Sequence, residues 1–134
     1  MEEPVKLGHG QIDAQHADLY HCIRQLRAMA RKHFSPERVA DLLRQMEGML
    51  ANHFATEELV MFDVGLEASL LAEHVGEHRR ILAEVAEIRR SHRAENAESL
   101  PEVCETARLW VVNHVRDYDA LLIPCLRNKD VPAV

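Results

Sequence analysis

Two pairs of residues carry the first chemical signal in this chain. His53 and Glu57, and His74 and His78, each stand four residues apart, a spacing that puts both side chains on one face of an α-helix. Each pair therefore aims two donor atoms at one volume. A lone HxxxH is more often an accident of composition than a site, so its meaning depends on what else faces the same space. His16 and His114 add further imidazoles. Five histidines and a carboxylate form a donor set that suits Fe, Zn, Cu or Ni better than Mg or Ca.

Helices must carry these residues. Ala, Leu, Glu, Arg, Gln and Met dominate, aromatic residues make up 4% of the chain, and no β-branched run alternates with period two, so helix is favoured nearly throughout. Ser35-Pro36-Glu37 predicts a capped helix start with Pro in the first turn, and Ser99-Leu100-Pro101-Glu102 reads as a capping box. Gly65 marks a break between them. Pro4, Gly8 and Gly10 predict an irregular arm, while Pro124 and Pro132 are expected to end the last helix in a tail. The expected architecture is a single all-α domain over 1–134, an up-down-up-down four-helix bundle. Its parts are an arm at about 1–10, helices at about 11–32, 36–63, 67–93 and 100–123, and a tail at about 124–134.

Each helix shows a seam with alternating steps of three and four, the mark of one stripe buried against neighbours. The first gives Ile12, His16, Leu19, Ile23, Leu26 and Ala30; the second Val39, Leu42, Leu43, Met46, Leu50, His53, Glu57 and Val60. The third gives Leu71, His74, His78, Ile81, Val85 and Ile88; the fourth Val103, Ala107, Trp110, His114 and Leu121. Polar residues thus occupy core positions, where an unpartnered group is costly. In an antiparallel bundle the start of the first helix lies beside the end of the second, the start of the third and the end of the fourth. His16, His53, Glu57, His74, His78 and His114 then gather within about two turns of one level. Four helices converging on one polar cluster predict a metal site inside that end of the bundle.

The remaining composition narrows the function classes. Lys and Arg number 16 against 22 Asp and Glu, a net charge of -6, which offers no basic face for nucleic acid or anionic lipid. No stretch approaches the roughly 20 apolar residues of a membrane span, and Met1-Glu2-Glu3-Pro4 lacks the layout of a signal peptide, so a cytoplasmic protein is expected. Cys22, Cys104 and Cys125 form no CxxC pair and read as reduced packing thiols.

Taken together, four segments resemble the successive motifs of the hemerythrin and bacteriohemerythrin family. They are Ile12-Asp13-Ala14-Gln15-His16; His53-Phe54-Ala55-Thr56-Glu57-Glu58 followed by Met61; His74-Val75-Gly76-Glu77-His78; and Trp110 leading to His114 with Asp119 five residues on. The resemblance implies a four-helix bundle holding two iron ions per chain, bridged by an oxo or hydroxo group and by carboxylates, that binds O2 reversibly. By the same resemblance His74, His78 and His114 hold one iron, His16 and His53 the other, and Glu57 and Asp119 bridge them. That ligand count leaves one position open on the iron with two histidines, and an open position separates a site that takes up a small molecule from a closed structural one. Asp119 rests on the resemblance alone. Five residues from His114 is about 140° around a straight helix, whereas Asp117 lies only about 60° away and is the acid that helical geometry selects. The chain also departs from the family pattern between Glu57 and His74, where Gly65-Leu66-Glu67 replaces an aromatic residue followed by Pro.

Ferritin-like di-iron proteins use paired Glu-x-x-His arrangements, which this chain lacks. Neutral imidazoles in place of anionic donors favour the reduced metal pair and hence reversible binding over oxygenation. The expected function is therefore oxygen binding for transport, storage, delivery or sensing, with O2 as the partner and no catalytic residue assigned. The rivals are a di-iron enzyme on the same scaffold that reduces peroxide or nitric oxide or oxidises ferrous iron, a module sensing O2 or iron, and a zinc-filled bundle. Met61, Trp110 and Val115 are candidates either for an O2 pocket or for plain core. Glu58 reads as a surface carboxylate in preference to a support for the site, and His9, His21, His33 and His92 read as solvated.

Overall fold

The computed structural model describes residues 6–30, 36–91 and 100–130. Ser35 and Ser99, the expected caps, together with His33, His92, Pro4 and Pro132, lie outside them. The described chain forms α1 (Gly10–Ala30), α2 (Pro36–Asp63), α3 (Ala68–Ser91) and α4 (Leu100–Asp117), then a 3-10 turn (Asp119–Leu122) and a short α5 (Ile123–Asp130). Helix α1 packs on α2 and α4, and α3 packs on the same two. This is the all-α four-helix bundle that the seams predict.

The seams are buried almost as read. Leu19, Ile23 and Leu26 of α1 meet Val39, Leu43, Met46 and Leu50 of α2, Ile81 and Val85 of α3, and Val103 and Ala107 of α4 in one core, while Ile12 is buried in a second, smaller cluster. At the end of α2 the fully buried residue is Met61, with Val60 half-buried beside it. Polar contacts tie helices together at the edge of this core: Trp110 Nε1 donates to Glu84 Oε2 at 2.5 Å, and Arg89 pairs with Glu47 across α3 and α2. Cys22, Cys104 and Cys125 are free thiols. Burial pushes the Cys22 thiol up to about 11 and raises that of Cys104, so both stay protonated and act as packing groups.

The end of the bundle near the polar cluster is closed by the chain itself at two places. At the start of α1 the Ile12 N–H donates to the His9 ring at 3.3 Å, while the Asp13 carboxylate accepts from Leu7 N–H at 2.8 Å and Gly8 N–H at 3.1 Å. His9, expected to be solvated, is thus the cap of α1, and the arm folds inward so that Leu7 is buried. Between α2 and α3, Gly65 takes φ +70°, with Gly65 N–H bonded to Phe62 O at 3.1 Å and Leu66 N–H to Met61 O at 3.0 Å. These are the two bonds of a Schellman C-cap, which needs a left-handed residue at Gly65. Replacing Gly65 by Ala should cost about 1–2 kcal/mol for its left-handed backbone. The same change at exposed, helical Gly48, where an added Cβ meets nothing, should stabilise by about 0.5–1 kcal/mol. Urea unfolding of both variants reads the two signs.

The fourth helix does not run to residue 123. It stops at Asp117, Tyr118 turns with φ -116° and ψ -57°, and the chain tightens into the 3-10 turn before α5 begins. Pro124, expected to start a tail, sits instead in the first turn of α5, where a missing N–H costs nothing. The tighter winding also rotates Leu121 out of the seam to 61% exposure and brings Leu122 into the interior.

Candidate metal centre

Four helices and the 3-10 turn bring seven polar side chains to one level of the bundle. His16 comes from α1, His53 and Glu57 from α2, His74 and His78 from α3, His114 from α4 and Asp119 from the first position of the turn. All are buried, Glu57, Asp119 and His16 completely. Asp117 is not among them: it is exposed and pairs with Arg116 at 2.9 Å. The straight-helix argument fails because the helix ends between the two acids. Once the chain shifts to 3-10 winding, Asp119 points inward instead of sideways.

The seven residues fall into two overlapping sets of donor atoms, each set lying within 4.8 Å. One is Glu57, His74, His78, His114 and Asp119; the other is His16, His53, Glu57 and Asp119. The carboxylates belong to both. Asp119 shows why: Oδ1 lies 2.8 Å from His114 Nε2 and 3.0 Å from His74 Nε2, while Oδ2 lies 2.9 Å from His16 Nε2. Glu57 Oε1 lies 2.9 Å from His53 Nε2 and 3.5 Å from both His78 and His114 Nε2.

Every imidazole faces the cluster with Nε2, and for two of them the partner of Nδ1 fixes the tautomer. Thr56 Oγ1 donates its only proton to Asn52 O at 3.0 Å, so it must accept from Gln15 Nε2 at 3.1 Å. The Gln15 oxygen is then left to accept from His53 Nδ1 at 2.8 Å. Likewise Glu58 Oε2, 2.9 Å from His78 Nδ1, can only accept when ionised. His53 and His78 therefore carry their protons on Nδ1 and turn bare Nε2 lone pairs into the cluster.

The electrostatics are those of a site built for cations. Burial, then the neighbouring His114 and His74, push His78 down to about 2, so it stays neutral. Burial also pulls on His114, but the Asp119 and Glu57 carboxylates beside it prevail and hold it at about 9. Burial and the adjacent Asp119 raise Glu57 well above the usual carboxylate range, whereas Asp119 is held well below it by its neighbours Glu57, His114 and His16 in spite of burial. Both Glu57 oxygens lack a hydrogen-bond partner among the described residues, as do His16 Nδ1 and His114 Nδ1. Buried carboxylate oxygens are seldom left so. Imidazole Nε2 atoms converging on buried carboxylate oxygens that lack hydrogen-bond partners fit one or more bound metal ions.

Sequence reasoning missed the supports of this cluster. Glu58 is not a plain surface carboxylate, since it holds His78, and Gln15 was assigned no role. Phe54 stacks on His78 at a centroid distance of 4.0 Å and 9°, and Tyr118 stacks on His114 at 5.4 Å and 14°. Glu58, Phe54 and Gln15 carried one signal, their places beside predicted ligands within the quoted motifs. Met61 lies on the outer side of the cluster with Ile12 and Leu122, and Trp110 and Val115 lie on its inner side. A cavity of about 340 Å³, lined by Leu66, Leu70, Tyr118 and Leu121 among others, reaches His74 from outside.

The sequence model of the family described as the hemerythrin HHE cation binding domain matches residues 7–126. The chain belongs to this hemerythrin family. Among its relatives are the bacteriohemerythrin of Campylobacter jejuni strain 81-176, 28% identical over 87 residues, and that of Methylococcus capsulatus, 27% identical over 120 residues. The first match covers 65% of this chain and 64% of the relative, so the chain spans a little under two thirds of that protein, and the second covers 87% of each. The hemerythrin family binds non-haem iron, which agrees in kind with the donor set described above. No described helix is long and apolar enough to cross a membrane.

Proposed function

We propose that this hemerythrin-family chain is a di-iron protein that binds O2 reversibly. In this reading His74, His78 and His114 hold one iron, His16 and His53 hold the other, and Glu57 and Asp119 span both. The observation that carries it is the pair of overlapping donor sets, which share both carboxylates yet differ by one histidine. Unequal sets leave one ion the more open. An iron pair held there would supply reversible two-electron chemistry toward O2. The protein's own part is to place the donors and keep bulk water away. Leu7, Ile12, Met61, Leu122 and Leu126 close the outer side of the cluster, while Phe54, Trp110 and Val115 pack on the inner side. Among these, Met61, Trp110 and Val115 are the apolar walls we assign to the O2 pocket. The free thiols support a reducing, cytoplasmic setting.

The test is metal content together with the visible spectrum of protein reduced without air, exposed to O2 and then purged. Two irons per chain and a band that appears with O2 and vanishes on purging are expected. Iron that oxidises permanently under O2, or zinc in its place, would overturn the reading.

A further inference from the structure

The two halves of the cluster are supported by different chemistry. His53 gives its Nδ1 proton to a neutral amide, Gln15 Oε1 at 2.8 Å, whereas His78 gives its proton to a carboxylate, Glu58 Oε2 at 2.9 Å. A hydrogen bond to an ionised acceptor is roughly twice as strong as one to a neutral acceptor, and it makes the opposite ring nitrogen the better donor. Phe54, stacked flat on the His78 ring, keeps that imidazole from turning away from Glu58. The Glu58 side chain is 39% exposed, so water weakens its charge without removing it. Donor number points the same way, because the half supported by Glu58 also has the third histidine.

We propose that Glu58 is a positioning residue that makes the His74, His78 and His114 half the tighter of two metal positions. The first ion then enters there and is the last to leave, and the half supported by Gln15 is the exchangeable one. This rests on the two-metal reading above.

The experiment is an equilibrium titration of the metal-free full chain with Co2+, followed by visible absorption, with circular dichroism confirming that each variant keeps its helices. The unaltered chain should show two resolved steps. Glu58→Gln, which keeps an acceptor at the same place but removes its charge, should weaken the first step about 10–100-fold and leave the second unchanged. Gln15→Glu should tighten the second step and draw the two together from the other side. Steps that stay put in both variants, or that weaken equally in Glu58→Gln, would overturn the role of Glu58 while leaving two metal positions intact. A single ion per chain at saturation would instead overturn the two-metal reading and this inference with it. Should Glu58→Gln lose its helices, Gln15→Glu decides alone.

Discussion

Asp119→Ala should leave the protein unable to hold two irons, with iron per chain falling to one or fewer, while Asp117→Ala should load normally. Asp119 is fully buried and places one oxygen against His74 and His114 and the other against His16. No other carboxylate except Glu57 belongs to both donor sets. Its removal takes an anion from each half and strips His114 of its nearest acidic partner. Because the binding energy of a site assembled from separate helices is also folding energy, the iron-treated Asp119→Ala protein should melt close to the metal-free form. Asp117 contributes only an exposed pair with Arg116, and its loss should change stability by no more than about 0.5 kcal/mol. Iron analysis and thermal unfolding of both variants check this. Normal iron in Asp119→Ala, or its loss in Asp117→Ala, would remove Asp119 from the centre.

Metal loading should collapse in acid, and the direction follows from the protons that a metal must displace. His114 sits at about 9, so in the metal-free protein it carries a proton at neutral pH, and burial together with the adjacent Asp119 raises Glu57 well above its usual range. A ligand must be deprotonated to bind. Below about pH 9, then, at least one proton leaves for each cluster filled, and affinity should fall about tenfold or more for each unit of acidification. His78 adds an effect on the fold itself. Its folded value of about 2 is depressed from 6.5, so below pH 6.5 the unfolded chain takes up a proton that the folded chain refuses. The stability that His78 contributes to the metal-free protein is therefore lost as pH falls below 6.5, while the raised Glu57 acts in the opposite direction. Competition for Co2+ with a chelator of known affinity, from pH 9 to pH 5, measures the first effect, and the difference in urea unfolding between the unaltered chain and His78→Ala from pH 7 to pH 5 measures the second. Affinity independent of pH would contradict the protonation of His114.

The bundle and most of its cluster were legible because both follow from periodicity. A seam with steps of three and four fixes which face is buried, and polar residues at those steps must meet inside; His16, His53, Glu57, His74, His78 and His114 follow from that rule. Asp119 does not, since its orientation depends on where α4 stops, and neither Tyr118 nor Asp117 is a residue that forbids another helical turn. A motif resemblance supplied what the period could not. Pro124 was misread for a related reason: the same ring that ends one helix is well tolerated in the first turn of the next. Gln15 and Glu58 depend on which way an imidazole is turned, and His9 on how the arm folds back. Such orientations are decided by packing between helices and leave little trace in spacing.

The polar cluster also divides the apolar interior. On α1 and α2, and from Val115 through the 3-10 turn, it falls between a large set of buried residues running from Leu19 to Val115 and a small one made of Leu7, Ile12, Met61, Leu122 and Leu126. Among the described residues the small set has five buried residues against twenty in the large one, and the layer beneath it is made of groups that would rather be hydrated. A metal bound by the cluster would then act as a rivet between two bodies of unequal size. Amide hydrogens of the end piece, from the arm and from the 3-10 turn into α5, should exchange through a local opening when metal is absent and only through global unfolding when it is present.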